Sequence, residues 1–275
     1  MTGGTSLDEI LGAELGGNCA SPYDSPAARW LLGGELHPGG DALTRRLAHL
    51  AGVRRGWRVL DVASGRGRTA LLLASEFGAS VTGVELSPQS IAAARTETEA
   101  AGLGDRVRFV EGDAEALPVA SGAFDAVVCE CALCLFSGKA QAVAEMRRAL
   151  QPGGVVAIAD VTAELEDLPA SLRGAVARVA CVGEALPRDG YAEMLGDAGF
   201  ELVASESHNG ALAAMTERVE ARLRVARMLL PADSSARLIG EAIELVGEAQ
   251  RAIVAGSLGY QLLVARTSIP ARRAN

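Results

Sequence analysis

The sequence predicts an α/β fold: a mostly parallel sheet of seven strands, helices on both faces, and a helical insertion before the last strand. Three observations carry this. Short apolar runs alternate with helical patterns from Val59 to Asp160, as successive strand–helix–strand units require. The first run, Val59–Val62, meets the glycine turn Ser64-Gly65-Arg66-Gly67 and then a helical stretch from Thr69 to Phe77. The second run, Ser80–Val84, ends in the acid Glu85.

Taken in order, residues 1–40 read as an N-terminal lid segment. Ser6 and Glu9 form a capping-box pattern, a loop holding Cys19 follows, and Ser25-Pro26 opens a helix through Leu32. Tyr23 and Trp30 are lid or packing residues. His37-Pro38-Gly39-Gly40 breaks the chain, and a helix from Asp41 to about Ala51 places Leu43, Leu47 and Leu50 on one face. Ser87 caps the helix after the second strand, with Pro88 at its first position. The third strand is Val107–Glu111, leading into Gly112-Asp113-Ala114. The fourth is Phe124–Cys129, and a helix runs from Lys139 to Leu150. The turn Leu150-Gln151-Pro152-Gly153-Gly154 precedes the fifth strand, Val155–Asp160. Helices are expected at 168–182 and 188–198, a sixth strand at 200–205, long helices at 211–230 and 234–255, and a last strand at 260–266. The domains so read are a lid (1–40), an α/β core (41–205), a helical cap (206–256), and a last strand with tail (257–275).

The totals exclude several function classes. A hydrophobic share of 49% with 22% charged residues is that of a globular protein able to bury a core. The net charge of −8 speaks against a nucleic-acid partner, since phosphate neutralisation needs a basic face. No apolar run approaches the ~20 residues of a membrane helix. The N-terminus lacks a basic-then-apolar secretory pattern, so a cytoplasmic location is expected. Five cysteines are an odd number for a disulfide framework.

A strand, a glycine turn and a helix bring backbone N–H groups to a helix N-terminus, where an anionic or zwitterionic ligand can sit. An acid about 20 residues further on, at the tip of the second strand, suits a ribose diol. The turn Asp61-Val62-Ala63-Ser64-Gly65-Arg66-Gly67, the Gly112-Asp113-Ala114 step and the Leu-Gln-Pro-Gly-Gly turn together resemble the class I S-adenosylmethionine-dependent methyltransferases over roughly residues 40–205. Ala63 stands where most members have a glycine, and it is tolerable there if φ stays negative.

The resemblance implies a Rossmann-like fold and S-adenosylmethionine as cofactor, with S-adenosylhomocysteine as product. It also implies roles. Ala63, Ser64 and the N–H groups near Gly65 and Gly67 would approach the methionyl part, and Asp61 would take its amino group directly or through water. Glu85 would accept both ribose hydroxyls. Leu86 would pack on adenine, Asp113 would accept from its amine, and the Ala114 N–H would donate to the ring. Cys129 or Glu130 would line the sulfonium side.

Cys129-Glu130-Cys131-Ala132-Leu133-Cys134 falls where the acceptor site begins, and Cys181 lies beyond the fifth strand. This arrangement is similar to that of arsenite methyltransferases. Cys131 and Cys181 match position by position and Cys19 only loosely, while the N-terminal region and the helical insertion depart from the family. Soft thiolates suit a thiophilic centre such as trivalent arsenic, which attacks with its own lone pair and needs no base. The alternative is methylation of another small molecule (a quinone, phenol, amine or thiol), with the cysteines structural and Glu130, Asp160 or His37 available as base. Cys129, Cys131 and Cys134 lack a fourth nearby ligand, so no metal is expected. The partner is a small-molecule acceptor, and the protein is a monomer or homodimer.

Overall fold

The computed structural model describes residues 30–33, 37–174, 181–229 and 234–268. The elements are α1 (Gly40–Ala51), β1 (Arg58–Val62), α2 (Arg68–Phe77), β2 (Ser80–Glu85), α3 (Pro88–Ala100), β3 (Val107–Glu111), β4 (Phe124–Glu130), α4 (Lys139–Ala149) and β5 (Leu150–Ala163). They continue with α5 (Gly190–Asp197), β6 (Phe200–Ser207), α6 (Asn209–Leu229), α7 (Ser234–Ala255) and β7 (Leu258–Thr267). The seven strands form one sheet in the order β3-β2-β1-β4-β5-β7-β6. The β1–β2, β1–β4, β2–β3 and β4–β5 ladders are all parallel. Strand order reverses between β1 and β4, the position at which open α/β sheets bind ligands.

The chain divides into two compact units. One holds Gly40–Asp160, Asp189–Glu206 and the chain from Gln261 onward. The other holds the N-terminal segment through Gly39, Val161–Arg188 and Ser207–Tyr260. In the first unit the central strands are buried on both faces, which is why they read as unbroken apolar runs. Val59, Leu60 and Val62 of β1 and Ala126 and Val127 of β4 have no exposed surface. Ser87 caps α3 by accepting from the Ser90 N–H at 3.1 Å, and Pro88 follows at the first helical position. α2 ends at Gly78, whose φ of +69° lets its N–H reach the Leu73 carbonyl.

β5 is longer than the sequence predicts. It begins at Leu150, and a register shift against β4 between Phe124 and Ala126 absorbs the proline and glycines. In the second unit, α6 and α7 pack on each other, and α7 packs on a short 3₁₀ turn at Ala170–Arg173. Of the helix expected over 168–182, residues 175–180 lie outside the described residues, and the start of the span is not α-helical. Leu165–Asp167 and Ala170–Arg173 are separate 3₁₀ turns. Pro169 lies between them with extended backbone, and a proline disfavours helix in the residue before it. Arg222 of α6 donates to the Leu31 carbonyl at 2.8 Å, so the helical turn at 30–32 is tied to the hairpin. Among the described residues no helix is long and apolar enough to cross a membrane.

Candidate active site at the ends of β1, β2, β3 and β4

The site lies within the first unit. β1 delivers Asp61, which is 3% exposed. The turn after it returns through the Ser64 N–H, which donates to the Val84 carbonyl at 3.1 Å, and so follows β2 rather than leaving it. Gly67 takes φ +82° at the start of α2. A Cβ there would come within 2.5 Å of the Phe109 ring, and one on Gly83 would meet that ring at 2.5 Å and Ser64 Oγ at 2.6 Å. Phe109 therefore forms a floor beneath the turn that only glycines can lie against.

Ala63 departs from the expectation. Its φ is +56°, in the left-handed region, so the methyl group is carried at a conformational cost and not avoided by a negative φ. The Gly65 N–H is also placed differently. It donates to Glu85 Oε2 at 2.8 Å and is not left open for a methionyl group. Glu85 Oε1 accepts from the Leu86 and Ser87 N–H groups, both at 2.9 Å. A carboxylate has about four acceptor positions. Three of Glu85's are filled by backbone, so two ribose hydroxyls fit only if one of these contacts yields.

β2 and β3 place Glu85 opposite Glu111, and the Gly112 N–H donates to the Glu85 carbonyl at 3.0 Å. Glu85 and Asp113 thus share one end of the sheet. Asp113 is exposed, and its Oδ1 accepts from the Glu115 N–H at 2.9 Å in an Asx turn, while Ala114 is buried. Leu86 is 43% exposed beside Glu85, unusual for a leucine flanking a buried strand.

At the end of β4, Glu130 accepts from Thr44 Oγ1 of α1 at 3.1 Å and from Thr69 Oγ1 of α2 at 2.6 Å. These two threonines do not figure in the sequence reading. Their only signal is polarity on helix faces that are otherwise apolar. Glu130 is consequently oriented by hydroxyls, which is unlike a free base.

Cys129 corrects its expected role. It is fully buried in β4, and burial, then Asp160, Asp61 and Glu130, pushes its thiol well above the ordinary range. It is a neutral core residue, and of the expected pair it is Glu130 that is half-exposed. Cys131 is half-buried at φ +53°, with its N–H donating to the Ala159 carbonyl at 2.7 Å. Cys134 is buried and its N–H donates to Asp160 Oδ2 at 3.0 Å, which occupies that carboxylate in holding the loop after β4. Cys181, buried at φ +63°, belongs to the other unit, as does His37, whose Nδ1 lies 3.2 Å from the Pro38 carbonyl. Cys19 lies outside the described residues. Among the described residues no group of three or more His, Cys, Asp or Glu could hold a metal ion.

The electrostatics centre on Asp61. Burial, then the carboxylates of Glu130 and Glu85, push its carboxyl well above the usual range, against a lowering by the Ala70 N–H. Asp61 Oδ2 and Ser64 Oγ are buried without a hydrogen-bond partner. A buried acceptor without a donor is costly, and here it lies beside a glycine turn at a helix N-terminus. A buried acid at the end of β1, a second acid at the neighbouring strand end and an exposed leucine next to it lie together at the end of the sheet where doubly wound folds hold their ligands.

Residues 59–154 match the family model described as a methyltransferase domain. The chain is 32% identical over 170 residues to the methyltransferase GfsG of Streptomyces halstedii, covering 61% of each chain. It is 37% identical over 161 residues to an arsenite methyltransferase of Halobacterium salinarum, covering 56% of this chain and 39% of that one. The match therefore spans about three fifths and two fifths of these relatives' own lengths. The [4+2]-cyclase SpnF superposes with a TM-score of 0.74 at 23% identity, over 96% of this chain and 98% of that one, a likeness of fold. The chain belongs to the class I S-adenosylmethionine-dependent methyltransferase family.

Proposed function

We propose that the protein transfers the methyl group of S-adenosylmethionine to a small-molecule acceptor. The single observation that carries this is the buried Asp61 Oδ2, which lacks a donor and lies between the glycine turn and two further carboxylates. That environment suits a cationic ammonium. The cofactor supplies a sulfonium methyl group open to nucleophilic attack.

The chain's own residues do the rest. Asp61 takes the ammonium directly or through water, and Ser64 and Gly67 shape the turn beside it. Glu85 accepts from the ribose, with one acceptor position free and another available if Gly65 yields. Leu86 offers its exposed face to adenine, and Asp113 and the Ala114 N–H take the ring's polar edge. Glu130, fixed by Thr44 and Thr69, would line the sulfonium side. Positioning is the larger part of such catalysis. Calorimetric titration with S-adenosylhomocysteine tests the reading, and no heat at any temperature, with no displacement of a fluorescent analogue, refutes it.

For the acceptor, two readings have support. Three of the four described cysteines are buried, which favours a carbon, oxygen, nitrogen or thiol acceptor with the cysteines as packing residues. Cys131 is half-buried and held in left-handed backbone. Together with the arsenite methyltransferase likeness, this favours a thiophilic acceptor bound by Cys131 and Cys181. Turnover of arsenite plus thiol, against a panel of phenols, quinones and amines, separates them. Loss of arsenite turnover in both Cys131→Ser and Cys181→Ser, with cofactor affinity unchanged, supports the thiolate reading, and normal turnover in both rejects it.

A further inference from the structure

Asp61 has chemistry that the proposed reaction leaves half used. It is 3% exposed, and its Oδ2 has no donor. Its charged neighbours are both carboxylates. Glu85 faces it from β2 and Glu130 from β4, Cys129 adjoins Glu130 on the same strand, and α2 offers only the Ala70 N–H. The cation at the start of α2, Arg68, is turned outward and more than half exposed, paired with Asp41 at 2.5 Å. Glu130 is fixed by Thr44 and Thr69 and Glu85 by three backbone N–H groups, so neither carboxylate can swing away to relieve the crowding.

Like-charged carboxylates in a buried cluster do not all ionise together, and the member with the fewest donors holds the proton. A cation within about 4–6 Å reverses the preference. We propose that Asp61 is a carboxylic acid in the free protein and gives up its proton to solvent when the cofactor's ammonium arrives, so that cofactor binding is proton-linked. This rests on the methyltransferase reading. The balance is simple. The O–H bond of Asp61 breaks, its electron pair stays on the carboxylate, the proton passes to buffer, and the site exchanges a neutral acid for an ion pair.

The consequence has a definite sign. Below the free protein's pKa for Asp61, affinity for S-adenosylhomocysteine rises with pH by up to about tenfold per unit, then levels off once the acid is already ionised. Release approaches one proton per ligand on the acid side of that pKa. 5′-Methylthioadenosine, with the same nucleoside and no ammonium, binds without it.

The experiment is calorimetric titration of the full chain with both ligands in buffers of different ionisation enthalpy, between about pH 5 and pH 8. The expected result is proton release with S-adenosylhomocysteine, none with methylthioadenosine, and none with S-adenosylhomocysteine in Asp61→Asn. Should Asp61→Asn bind too weakly to titrate, Glu130→Gln serves instead. Removing that charge lets Asp61 ionise sooner, so release at a fixed pH falls. Uptake or no exchange across the whole range overturns the inference, as does release that persists in Asp61→Asn, that is equal for the two ligands, or that is unchanged in Glu130→Gln. Failure of both ligands to bind is a different outcome, because it removes the cofactor reading itself.

Discussion

Ala63 offers the sharpest test of how the turn is built. Its φ of +56° puts a Cβ where L-residues pay roughly 1–2 kcal/mol for proximity to the following carbonyl. Glycine at 63 removes that cost but adds about 0.5–1 kcal/mol of backbone entropy in the unfolded chain. The midpoints of the two ranges leave Ala63→Gly more stable by about 0.75 kcal/mol. For a domain of this size that corresponds to a rise in Tm of roughly 1–4 °C. Urea unfolding should show the same increment as a shift in midpoint with unchanged slope. Ala63→Val, with a branched side chain at the same φ, should move the opposite way. An unchanged or lowered midpoint in Ala63→Gly would refute the claim that the turn carries backbone strain, as would a Val variant as stable as the Gly one.

Four further outcomes are expected. Gly83→Ala should destabilise by about 1–3 kcal/mol in denaturant titration, because its Cβ would meet the Phe109 ring at 2.5 Å and must force that ring aside. Glu85→Ala should weaken S-adenosylhomocysteine binding at least about 30-fold, roughly 2 kcal/mol, measured by calorimetry, since it removes the proposed ribose acceptor and leaves N–H groups of the site without a partner. Arg148→Ala should destabilise by about 1–3 kcal/mol, because Arg148 donates to the Leu117 and Val119 carbonyls as well as to Glu145. The hydrogen bond from Arg148 holds the Glu145 carboxyl below its ordinary 4.5. The stability from that pair is therefore fully present above pH 4.5 and lost as pH falls through the depressed value. The gap between wild type and Arg148→Ala in urea midpoints should accordingly narrow in acid.

What could be read from the chain follows a physical divide. β1, its glycine turn, α2 and the acid at the tip of β2 are local, and they announce themselves by apolar runs and by glycine. The Ser87 cap with Pro88 beside it is equally local. Contacts between distant residues are not announced. Thr44 and Glu130 are 86 positions apart, and nothing near either residue names the other. The Phe109 floor explains why residue 83 is glycine, yet inside the run Ser80–Val84 that glycine looks like a weakness in the strand. The sign of φ at Ala63 is invisible because alanine is ordinary in most backbone conformations. The start of the helix expected over 168–182 misreads an apolar period that Pro169 interrupts.

Glu85 has a consequence for how the pocket is entered. Its carboxylate accepts from three of the chain's own amides, one of them on the glycine turn. An incoming nucleoside therefore trades with an internal occupant of the same groove, so that tightness there reflects a difference between two grips and not the strength of either.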